Sequence, residues 1–83
     1  MPATRSLPGG LTWRQAEVLG LLAQGRSNRD IASTLDVSVF TVRNHLANSY
    51  IKLNLDGRRA AVAYSRDHGL DRLVSAETLS PAA

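Results

Sequence analysis

Four residues that suit a left-handed backbone, Gly25, Asp36, Asn54 and Gly69, cut residues 11–69 into short pieces. Gly takes that conformation without steric cost, and Asn and Asp are the side chains that best tolerate it. Between these stops lie runs with apolar residues at helical spacing, and no useful length of strand-like alternation interrupts them. The punctuation therefore predicts an all-α chain of four helices.

The first helix is expected at about 13–24. Thr12 and Gln15 form a capping-box pair, Val18, Leu19 and Leu22 recur at helical spacing, and Gly25 supplies the stop. Leu11, just ahead of the cap, is placed to staple against Ala16, and this register leaves Trp13 outside. Ser27 opens the second helix, about 28–35, with Asp30 at its third position and Ile31, Ala32 and Leu35 as a narrow apolar stripe. Ser38 caps a third helix that runs to Leu53. The fourth follows Asp56-Gly57, from Arg58 to about His68. Residues 70–79 are ambiguous: Leu70, Leu73 and Val74 fit one more helical turn. Residues 1–10, with Pro2, Pro8, Gly9 and Gly10, are expected to be a flexible tail or linker, and residues 70–83 a C-terminal extension that is partly disordered.

Composition narrows the function. Ten Lys+Arg against seven Asp+Glu give a formal charge of +3, too little by itself to identify an anionic partner. Distribution says more. Arg26, Arg29, Arg43, Lys52, Arg58 and Arg59 face only Asp30, Asp36 and Asp56 over residues 26–59, and residues 37–55 contain no acid. With no Cys there is neither a disulfide framework nor a thiolate site, and a cytoplasmic location is the expectation. The longest uninterrupted apolar runs, 21–23 and 60–64, are far too short to span a membrane. A glycine-rich phosphate loop, paired carboxylates and metal-ligand spacing are all missing, so neither an enzyme nor a cofactor is expected.

The second and third helices, joined by Asp36-Val37-Ser38, have the form of a helix-turn-helix. Ala32 is small where the helices cross, Asp36 suits the turn, and Val42 anchors the third helix. Val42, Leu46 and Leu53 form its inner face, with Ser49 in the intermediate place. Phe40, Arg43, Asn44, Ala47 and Ile51 form the outer one. Arg43 and Asn44 stand side by side near the helix start, where a recognition helix meets base edges. Arg can pair with guanine O6 and N7, and Asn with adenine N6 and N7.

The run Leu11-Thr12-x-Arg14-Gln15-x-Glu17-Val18-Leu19, then Gly25-x-Ser27-Asn28-x-x-Ile31-Ala32, then Ser38-x-x-Thr41-Val42-Arg43-Asn44-His45-Leu46 and Lys52-Leu53, closely resembles the LuxR/NarL-type (GerE-like) helix-turn-helix family. The resemblance covers about residues 11–69. It implies a four-helix DNA-binding domain of bacterial transcription regulators, with double-stranded DNA as partner, the third helix (about 39–53) in the major groove and the fourth in a homodimer contact. The family's groove-facing positions fall on Phe40, Arg43, Asn44 and Ala47, and its phosphate-contacting positions on Asn28, Arg29, Ser38, Thr41, Lys52 and Arg58. Ala60, Ala61, Ala63 and Tyr64 are the candidate dimer residues. RNA polymerase is a candidate further partner.

Departures from the family pattern bear on packing and specificity. Gln15 replaces a usual Glu, Asn54 a common Gly, and Val39-Phe40 a more polar pair. Ser49 replaces a core aliphatic, so looser or rotated packing is expected at the end of the third helix. Ala47 replaces a longer polar residue and offers only a methyl contact. Phe40 fits either a thymine methyl or packing on a partner. Blander roles stand beside these: Arg43 as a solvated cation, Lys52, Arg58 and Arg59 as ordinary charged surface, Ser27 and Asn28 as caps only, Ala60, Ala61, Val62 and Tyr64 as first of all a packing stripe, His45 as a packed or phosphate-adjacent imidazole, and His68 as a helix-end side chain. Two other functions compete with a regulator, a sigma-factor region-four-like domain that docks on RNA polymerase and a protein-interaction module without DNA binding. Residues 1–10 suit an interdomain linker of a longer protein, and a free-standing small regulator is the alternative.

Overall fold

A computed structural model describes residues 7–77; expectations for residues 1–6 and 78–83 lie outside it. A 3-10 turn, Pro8–Gly10, leads into helices α1 (Trp13–Ala23), α2 (Asn28–Leu35), α3 (Val39–Leu53), α4 (Arg58–Asp67) and α5 (Leu70–Glu77). Among the described residues there is no strand. The all-α expectation holds, and the extra turn foreseen after Gly69 is a helix of eight residues.

Local chemistry accounts for the boundaries. Thr12 Oγ1 accepts the Gln15 N–H at 3.1 Å while Gln15 Oε1 accepts the Thr12 N–H at 3.0 Å, completing the capping box. Ser27 caps α2 through the Asp30 N–H at 3.1 Å, and Ser38 caps α3 through the Thr41 N–H at 3.0 Å. Gly25, Asp36 and Asn54 are all left-handed, with φ of 89°, 59° and 57°. Beyond each, the next N–H folds back five residues: Arg26 to the Leu21 carbonyl, Val37 to Ala32, and Leu55 to Tyr50, at 3.3, 3.0 and 2.9 Å. This closure satisfies carbonyls that a helix end otherwise leaves unpaired.

Helix α1 is buried from Val18 through Ala23, together with Gln15 and Ala16. A helix enclosed on every side cannot be amphipathic, and the other four helices pack around it. Leu11, Ala16, Val18, Leu19, Leu21 and Leu22 meet Ile31 and Ala32 from α2, Val42 and Leu46 from α3, Ala61 from α4, and Leu70 and Val74 from α5. Two buried serines interrupt this core without leaving unpaired hydroxyls. Ser49 Oγ donates to the His45 carbonyl at 2.7 Å and Ser65 Oγ to that of Ala61 at 2.8 Å.

The packed unit extends past residues 11–69 at both ends. Leu7 lies against the core, and Leu70 and Val74 are inside it. Helix α5 sits so near α1 that a Cβ at Gly20 would lie 2.5 Å from the Leu70 carbonyl oxygen and would overlap the Val74 side chain. The pair is further tied by Gln24 Nε2, which donates to the Asp71 carbonyl at 2.8 Å. Gly20→Ala is therefore expected to destabilise the chain by about 1–3 kcal/mol, lowering the melting temperature by about 5–15 °C. Thermal unfolding followed by circular dichroism checks this; an unchanged midpoint would show that α5 does not pack on α1 as described.

Candidate nucleic-acid interface

The second and third helices are joined by the Asp36 turn and the Ser38 cap, so the start of α3 is held by backbone and side-chain hydrogen bonds together. Val42, Leu46 and Ser49 then point α3 inward. At about 100° per residue, the side opposite this anchor carries Phe40, Asn44, Ala47 and Ile51 in one row, with Arg43 on its flank. All five are exposed, Phe40 to 69% and Ile51 to 79%. Among the described residues, neither Arg43 nor Asn44 has a side-chain hydrogen bond or ion pair that holds the fold together.

The residues expected at phosphates are placed differently from one another. Arg29 and Ser38 are exposed, and the Ser38 and Thr41 hydroxyls are 3.0 Å apart across the first turn of α3. Arg58 reaches from α4 to the start of α2, where Nη1 donates to Asn28 Oδ1 at 3.2 Å and Nη2 to the Arg26 carbonyl at 3.1 Å. Lys52, in the last turn of α3, donates to Gln15 Oε1 at 2.9 Å and to the Gly10 carbonyl at 3.1 Å. Thus Asn28 with Arg58, and Lys52 with Gln15, also brace the fold. An ammonium has three donors and a guanidinium five, so each cation keeps donors beyond those two. Burial pushes the Tyr50 phenol up from its ordinary value, and the nearby Arg58 charge opposes that shift.

One expected dimer residue is corrected outright. Ala61 is 0% exposed and belongs to the core, so it is unavailable to a second chain. The helical register turns it inward, and its carbonyl accepts the buried Ser65 hydroxyl. Ala63 is exposed, and Ala60 and Tyr64 are partly so. The Tyr64 ring stacks on His68 with centroids 4.0 Å apart. His68 Nδ1 also lies 2.9 Å from the Tyr64 carbonyl, in keeping with a helix-end role. Trp13 is exposed, as its register predicts.

Sequence reasoning missed the side chains that reach across the chain. Arg66 donates twice to the Ala23 carbonyl, at 3.3 and 3.1 Å, closing the end of α1. No local pattern signals a bond between residues so distant in sequence. Ile51, which helical spacing puts on the outer face and which with Phe40 suits a protein contact, is exposed on the same surface.

Among the described residues no group of His, Asp or Glu could hold a metal, and no described helix is long and apolar enough to cross a membrane. The fold and the outward face of α3 define a helix-turn-helix domain. The family described as bacterial regulatory proteins, luxR family, matches residues 10–65, and this chain belongs to it. Similar curated proteins include the response regulator protein VraR of Staphylococcus aureus, of Staphylococcus saprophyticus and of Staphylococcus epidermidis. Each is 42% identical over 60 residues, which is 72% of this chain but only 29% of the relative.

The Arg58–Asn28 link has a measurable consequence. A double-mutant cycle of Asn28→Ala and Arg58→Ala, read by chemical denaturation, is expected to give a coupling of about 0.5 kcal/mol, the scale of an exposed pair. Additive effects would show that the two side chains do not hold α4 to α2.

Proposed function

We propose that this chain is the DNA-binding output domain of a bacterial transcription regulator, with α3 entering the major groove of double-stranded DNA and two copies acting as a homodimer on paired half-sites. The observation that supports it best is the outward placement of Arg43 and Asn44 on a helix with no acidic residue, while the opposite face is committed to the core. Arg43 would take a guanine through O6 and N7, and Asn44 an adenine through N6 and N7. Phe40 and Ala47 stand on the same groove-facing side.

Asn28, Arg29, Ser38, Thr41, Lys52 and Arg58 would meet the phosphates on either side. Such contacts set register and orientation but carry no sequence information. The positive ends of α2 and α3 add their own attraction for phosphate. Ala60, Ala63 and Tyr64 remain as the α4 surface for a second copy, and RNA polymerase is a partner that such a regulator would meet at a promoter. In a longer regulator, as the full length of the relatives suggests, these helices would be the part that touches DNA. The same role places the protein in the cytoplasm.

Binding selection from a random duplex pool tests this directly. Arg43→Ala is expected to weaken the selected site by about 1–3 kcal/mol and relax preference at one base pair. Arg29→Ala should weaken all duplexes alike. If a dimer neutralises about six to eight phosphates, log K should fall against log salt with a slope of about −5 to −7. An Arg43→Ala chain with unaltered preference would remove α3 from the groove.

A further inference from the structure

Among the described residues, the two most exposed large apolar side chains both stand on α3. Phe40 and Ile51 are 69% and 79% exposed, and Ala47 lies in line between them. At about 100° per residue, Phe40, Asn44, Ala47 and Ile51 fall within about 60° of one another. The most outward part of the helix is therefore apolar, with Asn44 set into it and Arg43 beside it. Hydrogen-bonding side chains make up only part of the surface offered to a base edge.

We propose that this row reads the 5-methyl groups of thymine, so that the protein selects half-sites by methyl contact at Phe40, Ala47 and Ile51 as well as by hydrogen bonding at Arg43 and Asn44. The inference rests on the major-groove placement of α3 proposed above. In B-DNA the thymine methyl is the one apolar group of the major-groove edge, and apolar side chains are its natural contacts. Phe40 and Ala47 are seven residues apart, about 10 Å along the helix axis. Laid in the groove, a span of that length crosses several adjacent base pairs. Thymines on either side of the bases read by Arg43 and Asn44 are the expected pattern.

A protein partner fits the row less well. It is one side chain wide and broken by Asn44, whereas a docking helix face needs a broader apolar stripe. Its surroundings are basic: Arg43 and Lys52 share the helix, and residues 37–55 hold no acid, so the row lies in a field that draws anions. Charge complementarity therefore favours a polyanion that carries small apolar groups, which is what a thymine-containing major groove presents.

Replacing thymine by deoxyuridine removes the methyl and leaves every hydrogen-bonding group in place. The test uses the complete chain and a duplex taken from the binding selection, with each thymine replaced singly and affinity measured by fluorescence anisotropy at fixed salt. At two or more positions per half-site, uracil is expected to weaken binding about threefold to fivefold, the worth of one buried methyl. Phe40→Ala should bring the thymine-to-uracil ratio near one at one of those positions, and Ile51→Ala at another. Both residues are exposed, and circular dichroism is expected to report an unaltered helix content. Equal affinity for all uracil-substituted duplexes, with tight binding retained, would overturn the methyl reading while leaving DNA recognition intact. No binding to any duplex in the pool would overturn both. If the two substitutions instead abolished self-association in sedimentation experiments and left uracil sensitivity unchanged, the row would be a protein contact.

Discussion

Enclosure of α1 on all sides is the constraint from which the rest of the domain follows. Six consecutive buried residues, Val18 to Ala23, cannot be covered by one partner, so α2, α3, α4 and α5 must each contribute apolar side chains to the same central rod. Burial of this kind is the dominant favourable term in a small domain. It also explains why Gly20 has no side chain, since the backbone of α5 occupies that space. Once the four surrounding helices are committed inward, only their outer faces are left for recognition.

That division fixes which side of α3 stays exposed. Val42, Leu46 and Ser49 face α1, so Arg43 and Asn44 must face away from it. Two of the cations proposed for phosphates are also fixed within the fold. Lys52 holds Gln15 and the Gly10 carbonyl, and Arg58 holds Asn28 and the Arg26 carbonyl, which ties the end of α3 to the start of α1 and the start of α4 to the start of α2. Cations already fixed by the protein lose less freedom when they meet a ligand than mobile ones do. Preorganisation and fold support are then joint products of the same hydrogen bonds.

Much of this was legible in the chain itself. The caps Thr12, Ser27 and Ser38 and the stops Gly25, Asp36 and Asn54 are local devices, so helices α1 to α4 begin and end within a residue of where those devices put them. The inward and outward sides of α3 were equally readable, because helical periodicity is local. What could not be read is tertiary. Leu21 and Ala23 fall off the Val18–Leu19–Leu22 stripe and are buried only because α1 is surrounded. Ala61 stands in a stripe that suits either packing or docking, and the core claims it. Nor does the sequence show that the Ser49 hydroxyl bonds one turn back, which lets a polar residue fill an apolar seat. The links from Arg66, Lys52 and Arg58 join positions 30 or more residues apart, or 37 and more for Lys52, and leave no periodic trace.

The placement of α5 bears on how this domain would be exchanged with another. The family match ends at residue 65, yet Leu70 and Val74 are core residues and the groove beside Gly20 is shaped for the helix that carries them. A chimera cut at the family boundary would leave an open apolar furrow along α1. The modular unit, the piece that carries its own interior with it, therefore runs at least through α5.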